Sequence, residues 1–465
     1  MPYKVIAFED FGWKSLLPLV YMRATFQLRC GMFDLLERMT HLVSASAVPS
    51  GLSHRQSPTS ACDKNMSSRI ESFGLWCRPA LATVIAEKTR LPVNKSSGVQ
   101  TTLFINGRGL WKKLPDISSA SKSWVGIAGQ GDIACIFASP SLAKQLTPDI
   151  LLDITRTRQI LSKLPKRDIS NLVEIMNWPW DLVDANADAL QRDAKVKPSV
   201  FGLNSGRIDP GSYLLASESI HIGEGTRIKP CVVIDAEEGP VWIGKNVTIY
   251  PHAFIQGPAF IGDGCILQPG TVIRGGNTIG PVSKVGGEIE GSIIQGFSNK
   301  QHDGFLGHSY LGSWINIAAD CINSDLKNTY GSVRVKMGNR VVDTGKTFVG
   351  MFMGDFSKAG INVSFPTGSC IGFCSNIFAP VSPKYVPSFA WINGATFERY
   401  DVEKGLSLAR KVMARRKQIL TNSEEKLFRQ VRRQVLAVEH QTQRPLEYPP
   451  SLVPIQSASD HQSFT

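Results

Sequence analysis

The chain has 465 residues, 42% hydrophobic and 19% charged, with a formal net charge of +12. That is length enough for two or three domains with buried cores, and no run approaches the roughly 20 apolar residues that cross a bilayer. Glu9 and Asp10 fall where a secretory apolar segment would lie, which makes the cytoplasm the expected compartment. Nine scattered cysteines without a CxxC pair read as buried free thiols, not as a zinc site or a disulfide framework. Much of the charge is local: ten Lys/Arg stand against three Glu between Lys404 and His440, so no nucleic-acid footprint over the whole surface is expected.

Residues 1–195 read as mixed α/β. Lys4 to Phe8 and Thr101 to Ile105 are strand candidates, and Trp124 to Phe137 is a hairpin folded at Gly129-Gln130-Gly131-Asp132. Gly31 to Met39 places Phe33, Leu36 and Met39 on one side of a short helix. Leu142 to Leu164 is helix-like with a break at Pro148, and Val183 to Asp193 is a further helix. Residues 43–75 are Ser-rich and aperiodic and read as a loop. The half contains no GxGxxG, Walker loop or HExxH. Arg23, Arg29 and Arg108 could each present a guanidinium fork to a phosphate; ion pairs that fix their loops are the competing reading.

From residue 196 to 396 the pattern changes. Ile243, Ile249, Ile255, Ile261, Leu267, Ile273, Ile279 and Val285 recur every six residues, Ile222, Ile228 and Ile234 form an earlier run, and Gly244, Gly262 and Gly280 stand eighteen apart. Six fits neither a helix nor simple alternation. Eighteen residues make one three-sided coil with one aliphatic side chain per side pointing inward, which is a parallel β-helix whose coils bury the Ile column only by stacking. The two runs fall into one register if the region of Ala236-Glu237-Glu238 is a three-residue insertion.

Between Gly286 and Tyr330 the hexads blur and polar residues crowd in, with His302 and His308 among Asn299, Lys300, Asp303, Tyr310, Asn316, Asn323, Asp325 and Asn328. Function concentrates where a repeat is broken. His308 is the candidate general base, able to take a proton from an amine or hydroxyl as it attacks a thioester; Lys300 and the Asn side chains would hold an acceptor sugar and its phosphate. The bland alternative is that the imidazoles bond to turn carbonyls. Residues 397–440 read as two basic amphipathic helices, with Thr421 and Glu424 a capping box, covering the solenoid's open end. Residues 441–465 are Pro- and Ser-rich and read as disordered.

IHIGEGTRIKP and the hexads after it resemble the left-handed β-helix of bacterial hexapeptide-repeat acyltransferases, and GHSYLGSWINIAAD resembles the catalytic coil of the acetyltransferase half of the bifunctional N-acetylglucosamine-1-phosphate uridyltransferase. Over residues 1–420 the segments LLPLVYMRATFQLRCG, FINGR, WPWDLV, SNKQHDGFLGHSYLG, NSDLKNTYG and DTGKTFVGMFMGDFSKAGIN are similar to a subfamily of sugar nucleotidyltransferases with the same two-part plan.

The resemblance implies a nucleotidyltransferase-like α/β domain followed by a left-handed β-helix, assembled as a homotrimer. It implies His308 as base, Lys300, Tyr310 and Asn316 at the acceptor, and Asn328 and Tyr330 near the acyl donor; the polar run itself adds Asn299, Asp303 and Asn323 to the acceptor site, and the guanidinium forks of Arg23, Arg29 and Arg108 are the candidates for nucleotide phosphate. The donor implied is acetyl-CoA or another acyl-CoA, the acceptor a sugar phosphate or nucleotide sugar, with Mg²⁺ for the N-terminal domain. Three features depart from the families: no Gly-rich triphosphate loop, Ala318-Ala319-Asp320 where Gly-Ala-Gly stands, and Phe356 in place of a His. A non-catalytic scaffold that binds sugar nucleotides is the competing expectation.

Overall fold

A computed structural model describes residues 2–47, 70–96, 98, 100–117, 120, 122–196, 198–394 and 396–439; the tail expected at 441–465 and most of the Ser-rich loop lie outside the described residues. The N-terminal half is built on a six-stranded mixed sheet. Tyr3–Phe8 pairs in parallel with Ile70–Trp76 on one side and Thr102–Asn106 on the other, and Thr102–Asn106 continues antiparallel to Asp132–Ala138 and then Trp124–Ala128. Ile70–Trp76 corrects the loop reading of 43–75: its Leu75 and Trp76 are buried, and pairing with Tyr3–Phe8 overrides the weak local pattern. The expected helix Gly31 to Met39 starts later and runs Leu35–Ala47.

Two expected helices are divided by their own capping chemistry. Leu142 to Leu164 forms Pro140–Gln145, Pro148–Leu151 and Ile154–Leu161, because Thr147 and Asp153 each accept backbone N–H groups of a new helix start. Val183 to Asp193 resolves into Pro179–Asp184 and Asn186–Val196. Pro179 opens the first of these, and the Asp181 carboxylate accepts from the N–H groups of Asn177 and Trp178.

The second half is a left-handed parallel β-helix of about ten turns. Its three faces are sheets of eleven, six and nine strands, visited in that order by each coil. Thr248, Ile266 and Lys284 stack at the expected eighteen-residue interval on the first face, and Arg227 to Thr248 is three longer, which is the insertion near Ala236. The aliphatic column from Ile222 through Val285 and Ile289 to Ile377 is buried inside the prism. Removing each Ile or Leu from water contributes on the order of 1.5–3 kcal/mol. One coil is much longer than the rest: Asn316 stacks on Lys358, 42 residues on. The surplus forms a hairpin, Arg334–Met337 with Arg340–Asp343, and loops around it, inserted at the corner between the second and third faces.

The third face does not meet solvent over its later coils. Tyr310 and Phe352 belong to one apolar core with Leu28, Trp180, Phe373, Leu406 and Phe428. The Arg23 guanidinium reaches Asp355 at 2.9 Å and Ser313 at 3.1 Å, and Thr278 donates to the Gly31 carbonyl. The helices Val402–Ala414 and Asn422–Val438 are not a lid on an open solenoid end. They lie in the angle between the two halves, with Phe428 against Phe356, Phe373 and Phe389 and with Glu424 paired to Lys88 of the N-terminal domain. The Thr421–Glu424 capping box is formed. Of the described cysteines, Cys231 is exposed, because it occupies a solvent-facing corner, and the others are buried free thiols. No described helix is long and apolar enough to cross a membrane.

Candidate active site at a solenoid corner

His308 occupies a backbone position where the neighbouring coils carry glycine. Strand pairing stacks Thr278 on Ile293, Ile293 on Tyr310, and Tyr310 on Phe352. Counting two residues back from each puts Gly276, Gly291, His308 and Gly350 in one column at the corner between the second and third faces. Gly276 and Gly291 have φ of +80° and +50°, and His308 follows at +42°. A residue with a Cβ in the left-handed region carries a penalty of about 1–2 kcal/mol, met at other corners of this solenoid too, as at Cys231, His252 and Val282, and it persists where the surroundings over-determine the backbone.

The surroundings here do so. Asn323 accepts from the Gly307 N–H and donates to the Gly307 carbonyl, Ser309 Oγ donates to that same carbonyl, and Gly350 N–H donates to the carbonyl of His308. The side chain then points outward, about a quarter exposed. His308 Nδ1 lies 2.9 Å from Asp325 Oδ2. An ionised carboxylate can only accept, so in the neutral imidazole Nδ1 carries the proton and Nε2 the lone pair. Phe348 covers one side of the ring at 5.3 Å between centroids. Two glycines make the room: a Cβ on Gly307 would fall 2.2 Å from the Asp325 carboxylate, and one on Gly291 would press the imidazole at 3.2 Å. Asp325 and Phe348 both come from the inserted loops, so the broken coil builds the site.

The other expected site residues do not gather around this ring; the prism geometry distributes the polar run over separate corners. Lys300 is buried, and its Nζ donates to the carbonyls of Gly286, His302 and Asp303, with burial pushing its pKa down to about 8. It is a staple of the corner between the first and second faces, not a contact for an acceptor, because no face of the ammonium is left open. His302 and Asp303 are exposed at that same corner. Tyr310 is fully buried and bonded to Gln295 and to the backbone of Arg29, burial holding its hydroxyl well above the usual phenol range. It joins the two halves and cannot reach a sugar. Asn323 positions the His308 turn. Asn299 and Asn316 stack on the first face and bond to each other, while Asn328 and Tyr330 are exposed in the insertion.

The three arginines do not converge. Arg23 is engaged by Asp355, and Arg29 spans Met32, Glu37 and the face of Phe260. Arg108 is completely buried, clasped by both oxygens of Asp10 with Asn177 and the Met176 carbonyl completing the cage. A phosphate would have to displace Asp10 from a buried pair to reach it, so the ion-pair reading holds for Arg108. Among the described residues no group of three or more His, Cys, Asp or Glu could hold a metal, and Glu9 and Asp10 are committed to Arg78 and Arg108. The residue that sequence reading passed over is Asp325, present in the polar run but not assigned a role. The signal was the glycine column, visible once GGNTIG, EGSII and GHSYL are stacked.

With this geometry in place, comparison with known proteins is informative. Residues 5–198 match the model of a sugar nucleotidyl transferase family and residues 240–275 match bacterial transferase hexapeptide repeats. The uncharacterized acetyltransferase YaiX of Escherichia coli is 32% identical over 197 residues, which cover 41% of this chain and 84% of that protein. The chain belongs to the hexapeptide-repeat transferases. The bifunctional protein GlmU of Methanococcus aeolicus is 30% identical over 226 residues, 49% of this transferase and 44% of the relative. A bifunctional sugar-1-phosphate nucleotidylyltransferase/acetyltransferase of Sulfurisphaera tokodaii is 26% identical over 43% of each chain. The transferase thus spans less than half the length of the bifunctional relatives it matches. An enzyme, and not a scaffold alone, is what the relatives describe.

Proposed function

We propose that this transferase moves an acyl group from an acyl-CoA thioester, acetyl-CoA being the simplest, to an amine or hydroxyl of a sugar phosphate or nucleotide sugar. The observation that carries the reading is the His308–Asp325 pair built where the inserted loops interrupt the coil. Nε2 takes the proton of the attacking N–H or O–H as that atom bonds the thioester carbon. The C–S bond then breaks, and the leaving thiolate recovers the proton from the imidazolium. Asp325 fixes the tautomer and stabilises the transient positive ring. Phe348 narrows the exposure of the imidazole on one side. A donor as extended as coenzyme A suits a groove between adjoining solenoids, which is the role we assign to a homotrimer.

For the N-terminal half the proposal is narrower. Its family match supports recognition of a sugar nucleotide, but Arg23, Arg29 and Arg108 are engaged internally, and no nucleotidyl-transfer step is derived for it. A thermal-shift panel of acetyl-CoA, UTP, dTTP and UDP-sugars tests both halves, since a ligand at 100 times its Kd raises stability by about 2.7 kcal/mol. Acetyl-CoA is expected to raise the melting temperature; no response to any acyl-CoA would remove the acyl-transfer reading.

A further inference from the structure

At a different corner, between the third and first faces, the solenoid and the end of helix Val402–Ala414 enclose a cleft of about 420 Å³. Lys284 and Lys358 enter it from the solenoid, Arg415 and Arg416 from the helix end, and no carboxylate is among its lining residues. Among the described residues, none of the four cations is paired with Asp or Glu. Their recorded partners are neutral: Arg416 donates to Asn299 Oδ1, and Lys358 donates to the Phe356 carbonyl. Phe297 and Trp314, stacked at 4.5 Å, form the apolar wall.

The local fold does not account for this charge. Cations at a helix C-terminus complement its dipole, which explains Arg415 and Arg416 on their own. It does not explain two lysines on the facing solenoid, where like charges repel and partly desolvated ammonium groups go without counter-charge. Burial first, and then Arg416 and Arg415, push the Lys284 ammonium below its ordinary range; burial and then Arg415 do the same to Arg416. An anion resident in the cleft would supply the missing counter-charge and relieve the repulsion.

The spacing selects the kind of anion. Lys284, Asn299, Asn316 and Lys358 occupy successive rungs of the first face, so the two lysines stand three rungs apart, about 14 Å at roughly 4.8 Å per rung. Four cations spread along that length with no carboxylate among them carry more charge than one phosphate neutralises, which matches a ligand with more than one phosphate, and the volume lies within the range of small-molecule sites, about 300–1,000 Å³. We propose that this cleft binds a nucleoside polyphosphate, its phosphates between the lysines and the two arginines and its nucleoside along Phe297 and Trp314. The inference does not use the acyl-transfer reading, since His308 lies on another corner of the chain; because coenzyme A carries a nucleoside diphosphate too, ADP binding that acetyl-CoA does not displace marks a separate site.

The test is isothermal titration of the full chain with ADP, inorganic pyrophosphate and adenosine at low salt. ADP is expected to bind most tightly and adenosine at least 100-fold more weakly. Lys284→Gln combined with Arg415→Gln, both at the partly exposed rim, is expected to weaken ADP at least tenfold with an unchanged melting temperature for the free protein. Raising salt should weaken ADP as well, since the contacts are ionic. Absence of ADP binding at millimolar concentration, or equal affinity in the double variant, would overturn the site. Equal affinity for pyrophosphate and ADP would overturn the nucleoside.

Discussion

Replacing His308 and Asp325 singly and together tests whether the two act as one device. The imidazole is a quarter exposed and its Nδ1 is 2.9 Å from the carboxylate, so its removal deletes the candidate base without opening a buried cavity. General-base catalysis is worth about 10²–10⁴ in rate, or about 3–5 kcal/mol of barrier at 1.36 kcal/mol per decade. His308→Ala is therefore expected to lower kcat by that factor. Asp325→Asn keeps the volume but supplies an amide that can donate as well as accept, so the ring is free to hold its proton on Nε2, where it cannot accept the acceptor's proton; a loss of at least tenfold and no larger than that of His308→Ala is expected. If Asp325 acts only through the imidazole, His308→Ala/Asp325→Asn equals His308→Ala, since residues acting as a unit are not additive. The assay is release of the coenzyme A thiol with amino-sugar phosphates as acceptors, with the melting temperature of each variant as control. Unchanged kcat in His308→Ala, or additive losses in the double variant, would refute the mechanism.

Lys300→Met removes the donor to three carbonyls and is expected to cost about 1–3 kcal/mol of stability, read as a lowered melting temperature, with the acceptor KM unchanged. Arg23→Met leaves Asp355 buried without its partner, a change that costs about 3–5 kcal/mol in comparable sites; accelerated proteolysis between the two halves is the expected readout, and wild-type resistance would contradict it. Burial pushes the Asp181 carboxyl up to about 6 from its ordinary 3.8. The folded state therefore holds the proton more tightly than the unfolded chain, and that contribution is present below about pH 4 and lost as pH rises through about 6. Asp181→Asn should lack it, so the advantage of the wild type in melting temperature should shrink from about pH 4 to pH 7; a constant difference would show that Asp181 does not titrate in that window.

The solenoid was legible because its period is a direct image of its geometry: one inward aliphatic per side leaves a mark every six residues, and the three-residue excess near Ala236 shows as a register shift. The α/β half was legible in its central strands, whose apolar runs are buried on both faces, but Ile70–Trp76 gains its place by pairing with a strand far away in sequence. The site was legible only in part. His308 stood out as an imidazole in a disordered stretch of repeat, yet proximity along the chain misled for Lys300 and Tyr310. In a three-sided coil, residues five or six apart face different directions, and partners such as Asp325 arrive from the next turn, seventeen residues on. The arginines were ambiguous for a related reason: a guanidinium in a loop reads the same whether its carboxylate or a ligand completes it, and Asp10 is ninety-eight residues from Arg108.

The oversized coil that shields His308 also reaches across to the other half of the molecule, where Lys346 grips Asp184 at 2.7 Å. Severing the gene between the halves would consequently not release an unaltered prism. The flap bearing Phe348 would lose a contact with the N-terminal half, and whatever occupies that half has a short mechanical route to the rim of the His308 ring.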